Sequence, residues 1–244
     1  MKLIVAGSTG FVATEVIRQA LSNPAITSIK ALARRPTDVP QNSGPGADVS
    51  KLKSVVCDNF EEYPESVKQE LAGADACIWL IAITPSQISK MTFLEARKIC
   101  LDYTVKGLET MTPVASTPFR FLYTSGANSE RDATKKPWVL GDFCLMRGEC
   151  ETAVLDFAAK SQGKVQPCIA KPGLIDAPGK TGPLMSVVQM IGRSIIGLPK
   201  VQRSEVAATL LHQAVNGIEK ETLFNEDLVR IGGTALAGSG KTGE

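Results

Sequence analysis

The sequence predicts an α/β protein built on a doubly wound parallel sheet, with a small C-terminal segment covering a substrate, and three observations carry the prediction. Apolar runs and helical patterns alternate from Lys2 to about Ala170, as strands and crossover helices do. The run Gly73-Ala-Asp75-Ala-Cys-Ile-Trp-Leu-Ile81 is almost continuously apolar, which suits a strand covered by helices on both faces of its sheet. The first strand breaks into Gly7-Ser-Thr-Gly10-Phe-Val-Ala13, a turn with the spacing of a phosphate-binding loop.

Taken in order, residues 2–6 form the first strand, and Val12, Val16, Ile17, Ala20 and Leu21 give the helix that follows an apolar stripe. The second strand closes on Arg34 and Arg35, and the Pro/Gly/Asn/Ser cluster at 36–46 is a surface loop. Residues 53–57 form a third strand ending at Asp58 and Asn59, with a helix over 61–71 and the fourth strand over 73–81. A long helix over 91–112 leads to a fifth strand ending at Ser125 and Gly126. A polar loop then precedes the amphipathic helix 142–160. The sixth strand, 165–170, is stopped by Lys171-Pro172-Gly173.

Residues 174–200 are punctuated by Gly and Pro around a short apolar helix at 184–196. Inserted after a late strand, this segment is read as a substrate lid over the ligand crevice. A helix over 204–215 follows, and 232–244 is read as a flexible tail. The Ala235-Leu-Ala-Gly-Ser-Gly240-Lys241-Thr242 run in that tail fits a permissive phosphate-loop pattern. It is rejected as a nucleotide site, because such a loop needs a strand before it and a long helix after it.

Composition narrows the function classes. With 244 residues, 43% of them hydrophobic, the chain can bury one full core, so one domain is expected. The net charge of +2, with basic residues spread along the chain, gives no reason to expect a nucleic-acid partner. No apolar stretch approaches the ~20 residues needed to span a bilayer, so no membrane partner is expected. Cys57, Cys77, Cys100, Cys144, Cys150 and Cys168 lack metal-ligand spacing and sit inside periodic segments. No secretory signal is visible, and a cytoplasmic location is expected. The single histidine, His212, rules out His triads and multi-His metal sites by count.

The chemistry concentrates at the opening turn. Gly7 gives backbone freedom for the strand-to-helix turn, Gly10 lets the main chain approach a pyrophosphate, and Ala13 lets the helix pack closely on the sheet. The unpaired N–H groups at the start of the helix then face the phosphates. An NAD site usually ends its second strand on a carboxylate, whereas Arg34 and Arg35 suit a 2′-phosphate, so NADP(H) is favoured over NAD(H).

The order and spacing of Gly7-Ser-Thr-Gly10-Phe-Val-Ala13, Leu32-Ala-Arg34-Arg35, Gly73-Ala-Asp75, Asp102-Tyr-Thr-Val-Lys106, Tyr123-Thr-Ser125-Gly126, Arg147-Gly148-Glu149 and Lys171-Pro172-Gly173 resemble the atypical and extended short-chain dehydrogenase/reductase superfamily over most of the chain. Within it the likeness is to the Tat-interacting-protein and NmrA-like group, in its fungal form. The resemblance implies a Rossmann fold. It implies that Gly7, Ser8, Thr9, Gly10, Phe11 and Val12 hold the pyrophosphate, and that Arg34 and Arg35 hold the adenosine ribose phosphate. Asp58 and Asn59 would lie by the adenine, and Leu80, Ile81 and Ala82 along the cofactor. Lys171, Pro172, Gly173 and Leu174 would border the nicotinamide, and Ser125 would be the catalytic serine that hydrogen-bonds a substrate carbonyl.

The superfamily's catalytic centre is a tyrosine and a lysine four residues apart on the helix after the fifth strand, where the lysine cation lowers the phenol pKa. The matching positions here are Phe143 and Arg147. Phe143 has no proton to give. Arg147 keeps charge and donors for the nicotinamide ribose but cannot relay a proton at neutral pH. The proton would have to come from Asp142, Cys144, Tyr103, Lys135, Lys136 or water. The lead expectation is an atypical NADPH-dependent oxidoreductase acting on a small, largely apolar carbonyl or enone. The alternatives are non-redox isomerisation, dehydration or cyclisation in the same pocket, or a cofactor-sensing regulatory binding protein. A homodimer is compatible with the helices present.

Overall fold

The alternation read from the sequence folds into one seven-stranded sheet in the computed structural model, which describes residues 1–44, 46–176 and 197–239. The strands are β1 (Lys2–Ala6), β2 (Ser28–Ala33), β3 (Leu52–Val56), β4 (Ala76–Trp79), β5 (Phe119–Thr124), β6 (Val165–Ala170) and a short β9 (Thr222–Leu223). Their spatial order is β3-β2-β1-β4-β5-β6-β9, and every pairing is parallel. The order reverses between β1 and β4. Ligands of open parallel sheets bind in the crevice at such a switch point, beyond the carboxyl ends of the strands.

Alternate residues of each strand feed two cores. Leu3, Val5, Ile78 and Leu122 face α1 (Phe11–Ser22), α6 (Arg203–Asn216) and α7 (Asn225–Ser239). Ile4, Ala6, Trp79, Phe119, Phe121 and Tyr123 face the other way. There they meet α2 (Glu65–Leu71), α4 (Tyr103–Met111) and α5 (Gly141–Lys160). Short α3 (Phe93–Arg97) joins α4 through a π turn at Lys98–Asp102. The widened turn leaves the Cys100 carbonyl to accept from Thr104 Oγ1 and Cys150 Sγ, both at 2.8 Å, which ties α4 to α5. All six cysteines are buried and unpaired.

Two expectations change, and a third cannot be compared. Residues from Gly232 onward, read as a tail, are helical through Ser239, because α7 packs Leu228 and Ile231 against α6 and the sheet. The helix expected over 61–71 begins only at Glu65, since Phe60 and Tyr63 turn into an aromatic cluster with Trp79 before Pro64 caps it. Most of the segment read as a lid, including its helix at 184–196, lies outside the described residues. Its described flanks form a small parallel pair, β7 (Leu174–Asp176) with β8 (Lys200–Gln202).

Candidate functional site

The opening turn has the geometry its glycines require. Gly7 takes φ +79° and its amide bonds the Leu32 carbonyl at 2.9 Å. A Cβ there would also meet the Leu80 carbonyl carbon at 3.0 Å, so the position demands glycine twice over. Gly10 carries the same requirement for a local reason, since its Cβ would meet the Gly7 carbonyl oxygen at 3.0 Å. Thr9 and Gly10 are exposed at the start of α1 with Phe11 beside them and Val12 half-buried, while Ala13 is fully buried against the sheet. Leu80 and Ala82 are half-buried and Ile81 nearly buried past the end of β4, across the switch point.

Ser8 turns inward. It is 1% exposed, and its hydroxyl lies 2.6 Å from that of Thr37, whose amide in turn donates to Ser54 Oγ at 2.9 Å. This bond pins the turn to the loop that carries Arg34 and Arg35. Both arginines are exposed and ion-paired to no described residue, so their donors are free for an anion. Asp58 is exposed nearby. The Asn59 side chain is engaged locally, its Oδ1 accepting from the Glu61 amide at 3.0 Å.

On α5, Phe143 and Arg147 share one face but meet different surroundings. Phe143 is 8% exposed and packs with Ile83, Ala96, Cys100 and Met146 in an apolar cluster. Arg147 is 4% exposed. Its Nη2 donates to the Thr124 carbonyl at 2.7 Å, and its guanidinium lies 5.0 Å over the Tyr123 ring. Burial works against its charge, but the electrostatics of Tyr123, Cys100 and Cys150 raise its pKa above the ordinary arginine value, so it stays a cation. Among the described residues no carboxylate pairs with it, and its Nη1 and Thr124 Oγ1 are buried without a hydrogen-bond partner.

One further turn along the same face stands Glu151, a residue that sequence reasoning missed. It is fully buried and organises the end of the crevice. Ser125 Oγ donates to its Oε1 at 2.5 Å, Arg131 Nε to its Oε2 at 2.7 Å, and Lys171 Nζ lies 3.0 and 3.1 Å from its two oxygens. Lys171 Nζ also donates to the Ser129 carbonyl at 2.7 Å. The sequence signal was present as a carboxylate four residues after Arg147 on an otherwise buried face. Gly148 makes the arrangement possible, since a Cβ there would lie 1.7 Å from the Glu130 carbonyl oxygen of the crossing loop.

These placements redefine several candidate residues. The single proton of Ser125 is committed to Glu151, with Ser129 Oγ a further 2.9 Å away, so the serine faces the crevice as an acceptor. Lys171 is 6% exposed and held by Glu151. Pro172 accepts from the Ala127 amide, and the Gly173 and Leu174 amides donate to Asn225 Oδ1 and the Pro199 carbonyl, so this border is structurally engaged. Asp142 points to solvent, 72% exposed and 2.8 Å from Lys136 Nζ. Burial pushes the Cys144 thiol pKa up, making it a weak acid. Tyr103 packs on Phe60 at 5.7 Å, in the aromatic cluster under the third strand's end. Beside Ser129 a cavity of about 440 Å³ is lined by Asn128, Glu130, Pro137 and Trp138, the last 89% exposed.

The chain matches no protein-family model. A curated relative, the mitochondrial protein FMP52 of Candida albicans, is 23% identical over 244 residues, covering 97% of this chain and 96% of the relative. Its stated location corrects the cytoplasmic expectation. Buried, unpaired thiols and the want of a visible secretory signal do not separate cytoplasm from mitochondrion. Among solved structures, MoeE5 in complex with UDP-glucuronic acid and NAD superposes with a TM-score of 0.68 at 15% identity, covering 92% of this chain and 76% of that one. Vestitone reductase from alfalfa gives 0.66 at 18% identity, covering 91% and 76%. The likeness is one of fold, a Rossmann-like parallel sheet flanked by helices.

Proposed function

We propose that this chain is an NADP(H)-dependent oxidoreductase of the extended short-chain dehydrogenase/reductase plan, reducing a small, largely apolar carbonyl or enone compound. The observation that carries the reading is Arg147, a buried cation at the carboxyl end of β5 whose Nη1 has no hydrogen-bond partner among the described residues. A buried donor left unpaired costs about 1–3 kcal/mol, and since Nη1 has no exposed surface here, a ribose hydroxyl would accept from it only after a shift of the arginine side chain. It stands where the resemblance expects the residue that holds the nicotinamide ribose. The glycine turn and the unpaired Arg34 and Arg35 fit the rest of an NADP(H) molecule, and MoeE5, of the same fold, holds NAD. When bound, the dinucleotide supplies the hydride.

The chain's own residues do the rest. The first-turn amides of α1 hold the diphosphate, and Arg34 with Arg35 holds the 2′-phosphate. The Ser8–Thr37 bond fixes the spacing between these two subsites. Arg147 orients the ribose. Phe143 has no proton, Asp142 and Lys136 pair with each other, Lys135 pairs with Asp132, Tyr103 packs on Phe60, the Cys144 thiol is a weak acid and Ser125 is held by Glu151, which leaves water as the favoured proton source. Phe143 in its apolar cluster favours a second reading, in which the same pocket performs isomerisation, dehydration or cyclisation, or the bound cofactor serves a regulatory role.

The purified protein is titrated with NADPH and NADH and then given a panel of carbonyl and enone compounds, following oxidation of the reduced nicotinamide. NADPH consumption supports the reductase reading. Tight binding with no consumption sinks it, and transformation of a compound without NADPH transfers the case to non-redox chemistry. Arg34→Ala is expected to weaken NADPH by roughly tenfold or more while leaving NADH nearly unchanged, from the loss of a charge-assisted phosphate contact. Equal losses for both cofactors refute the 2′-phosphate assignment.

A further inference from the structure

One cation at the opening turn is left over by this reading. Arg203 is the first residue of α6, and its guanidinium carbon lies 4.8 Å from the centroid of the Phe11 ring. Phe11 is the first residue of α1, inside the glycine turn, and is 42% exposed. Arg203 Nη2 is 3.5 Å from Glu15 Oε2, one turn further along α1. Arg203 is a lesser partner of Glu15: that buried carboxylate accepts from Arg18 Nε at 2.9 Å, Arg18 Nη2 at 2.5 Å and Gln19 Nε2 at 2.7 Å, and the Arg203 charge adds to these. The other carboxylate at the start of α6, Glu205, is turned back to the Gln202 amide at 2.8 Å. Among the described residues, then, Arg203 has one long ionic contact and one ring contact, and its side chain is 23% exposed.

We infer that Arg203 is an arm from the C-terminal half of the chain that grips the diphosphate bridge of a bound dinucleotide. The inference rests on the proposed reading of the glycine turn as the dinucleotide cradle. The bridge brings negative charge to the N-terminus of α1, where the helix offers backbone N–H groups and only partial positive charge. A guanidinium adds a full charge and a planar fork that matches phosphate oxygens in pairs. The Phe11 ring holds the guanidinium by its face, which leaves N–H donors at the edge for the ligand. This also accounts for a large apolar ring exposed at a turn whose neighbours are Thr9 and Gly10. Unlike Arg34 and Arg35, which would distinguish the two cofactors, Arg203 would serve both equally.

The test uses the full chain carrying Arg203→Gln or Arg203→Lys, with dissociation constants measured by calorimetry. The ligands are NADPH, NADH, ADP-ribose, which keeps the bridge without the nicotinamide, and adenosine 2′-monophosphate, which lacks the bridge. Arg203→Gln is expected to weaken the first three by a similar factor, about tenfold, and to flatten their salt dependence, leaving adenosine 2′-monophosphate within about twofold. Arg203→Lys keeps the charge but loses the fork and the stacking, and should weaken the same three by about threefold. That second variant decides the matter if the first does not fold. Unchanged affinities, or an equal loss that includes adenosine 2′-monophosphate, overturn the inference. If the unaltered protein binds neither dinucleotide, the cradle reading falls and takes this one with it; if it binds them and Arg203→Gln binds as tightly, only the arm is wrong.

Discussion

Glu151 lies in the middle of α5 with no exposed surface, and its two oxygens are shared among Ser125, Arg131 and Lys171. Four residues that are scattered in sequence thereby become one unit, joining the end of β5, the following loop and the end of β6 to the helix. Glu151→Ala would leave Lys171 as an uncompensated buried charge. The expected loss is about 3–5 kcal/mol, read as a lower urea midpoint at unchanged slope. A loss below about 1 kcal/mol would show that the network is not holding these segments together. The same unit explains what could not be read from residue types alone. Ser125 and Lys171 are visible in the sequence as candidates at strand ends, but whether a serine proton points to a ligand or to a carboxylate depends on a helix residue 26 positions away. Conversely, Arg34 and Arg35 were legible, because a strand end is exposed and keeps the chemistry of its side chains.

Among the elements, β3 is an edge strand, and its attachment is partly electrostatic. Glu70 on α2 accepts from Lys30 on β2 at 2.8 Å and from Lys53 on β3 at 2.5 Å. Those two lysines pull the Glu70 pKa down to about 2. Since the folded-state value is depressed, the stabilisation is complete above the unfolded glutamate pKa of about 4.3 and is lost as pH falls towards about 2. The stability difference between the unaltered protein and Glu70→Gln should be constant near neutrality, close across that window, and shrink in high salt because the pair is at the surface. A difference that persists at the acid end contradicts this. Long periodic elements were legible: helices over 142–160 and 204–215 are found at Gly141–Lys160 and Arg203–Asn216. The pairs β7–β8 and β6–β9 were not, because three- and two-residue strands carry no periodicity and exist only through their partners.

For the whole molecule, α7 decides how the C-terminal part is attached. Asn225 at its start accepts from the Gly173 amide at 2.9 Å and donates to the Lys200 carbonyl at 3.0 Å, while Thr209 on α6 bonds the Leu228 carbonyl. The helix is thus bound to the described stretches on either side of residues 177–196 and to the core. Truncation before Asn225 is expected to strip that support, expose α6 and abolish cooperative unfolding, measured by near-ultraviolet circular dichroism and dye binding. A truncated chain with an unchanged melting temperature would show that α7 does not hold the C-terminal part to the core.

The sequence by itself determined the alternating α/β plan, the glycine turn, the exposed arginines and the absence of a phenol at position 143. Each of these is set by local periodicity, backbone freedom or the atoms of one side chain. The tertiary structure alone decided that Ser125 is tied to Glu151, that Arg147 keeps a donor over Tyr123 with no partner among the described residues, and that Arg203 meets Phe11 at the glycine turn. Those facts depend on which helix face meets which strand end. Hydrogen-bonding and charge contacts act over a few ångströms in space, and the packing of the sheet, not the order of the chain, brings those atoms together.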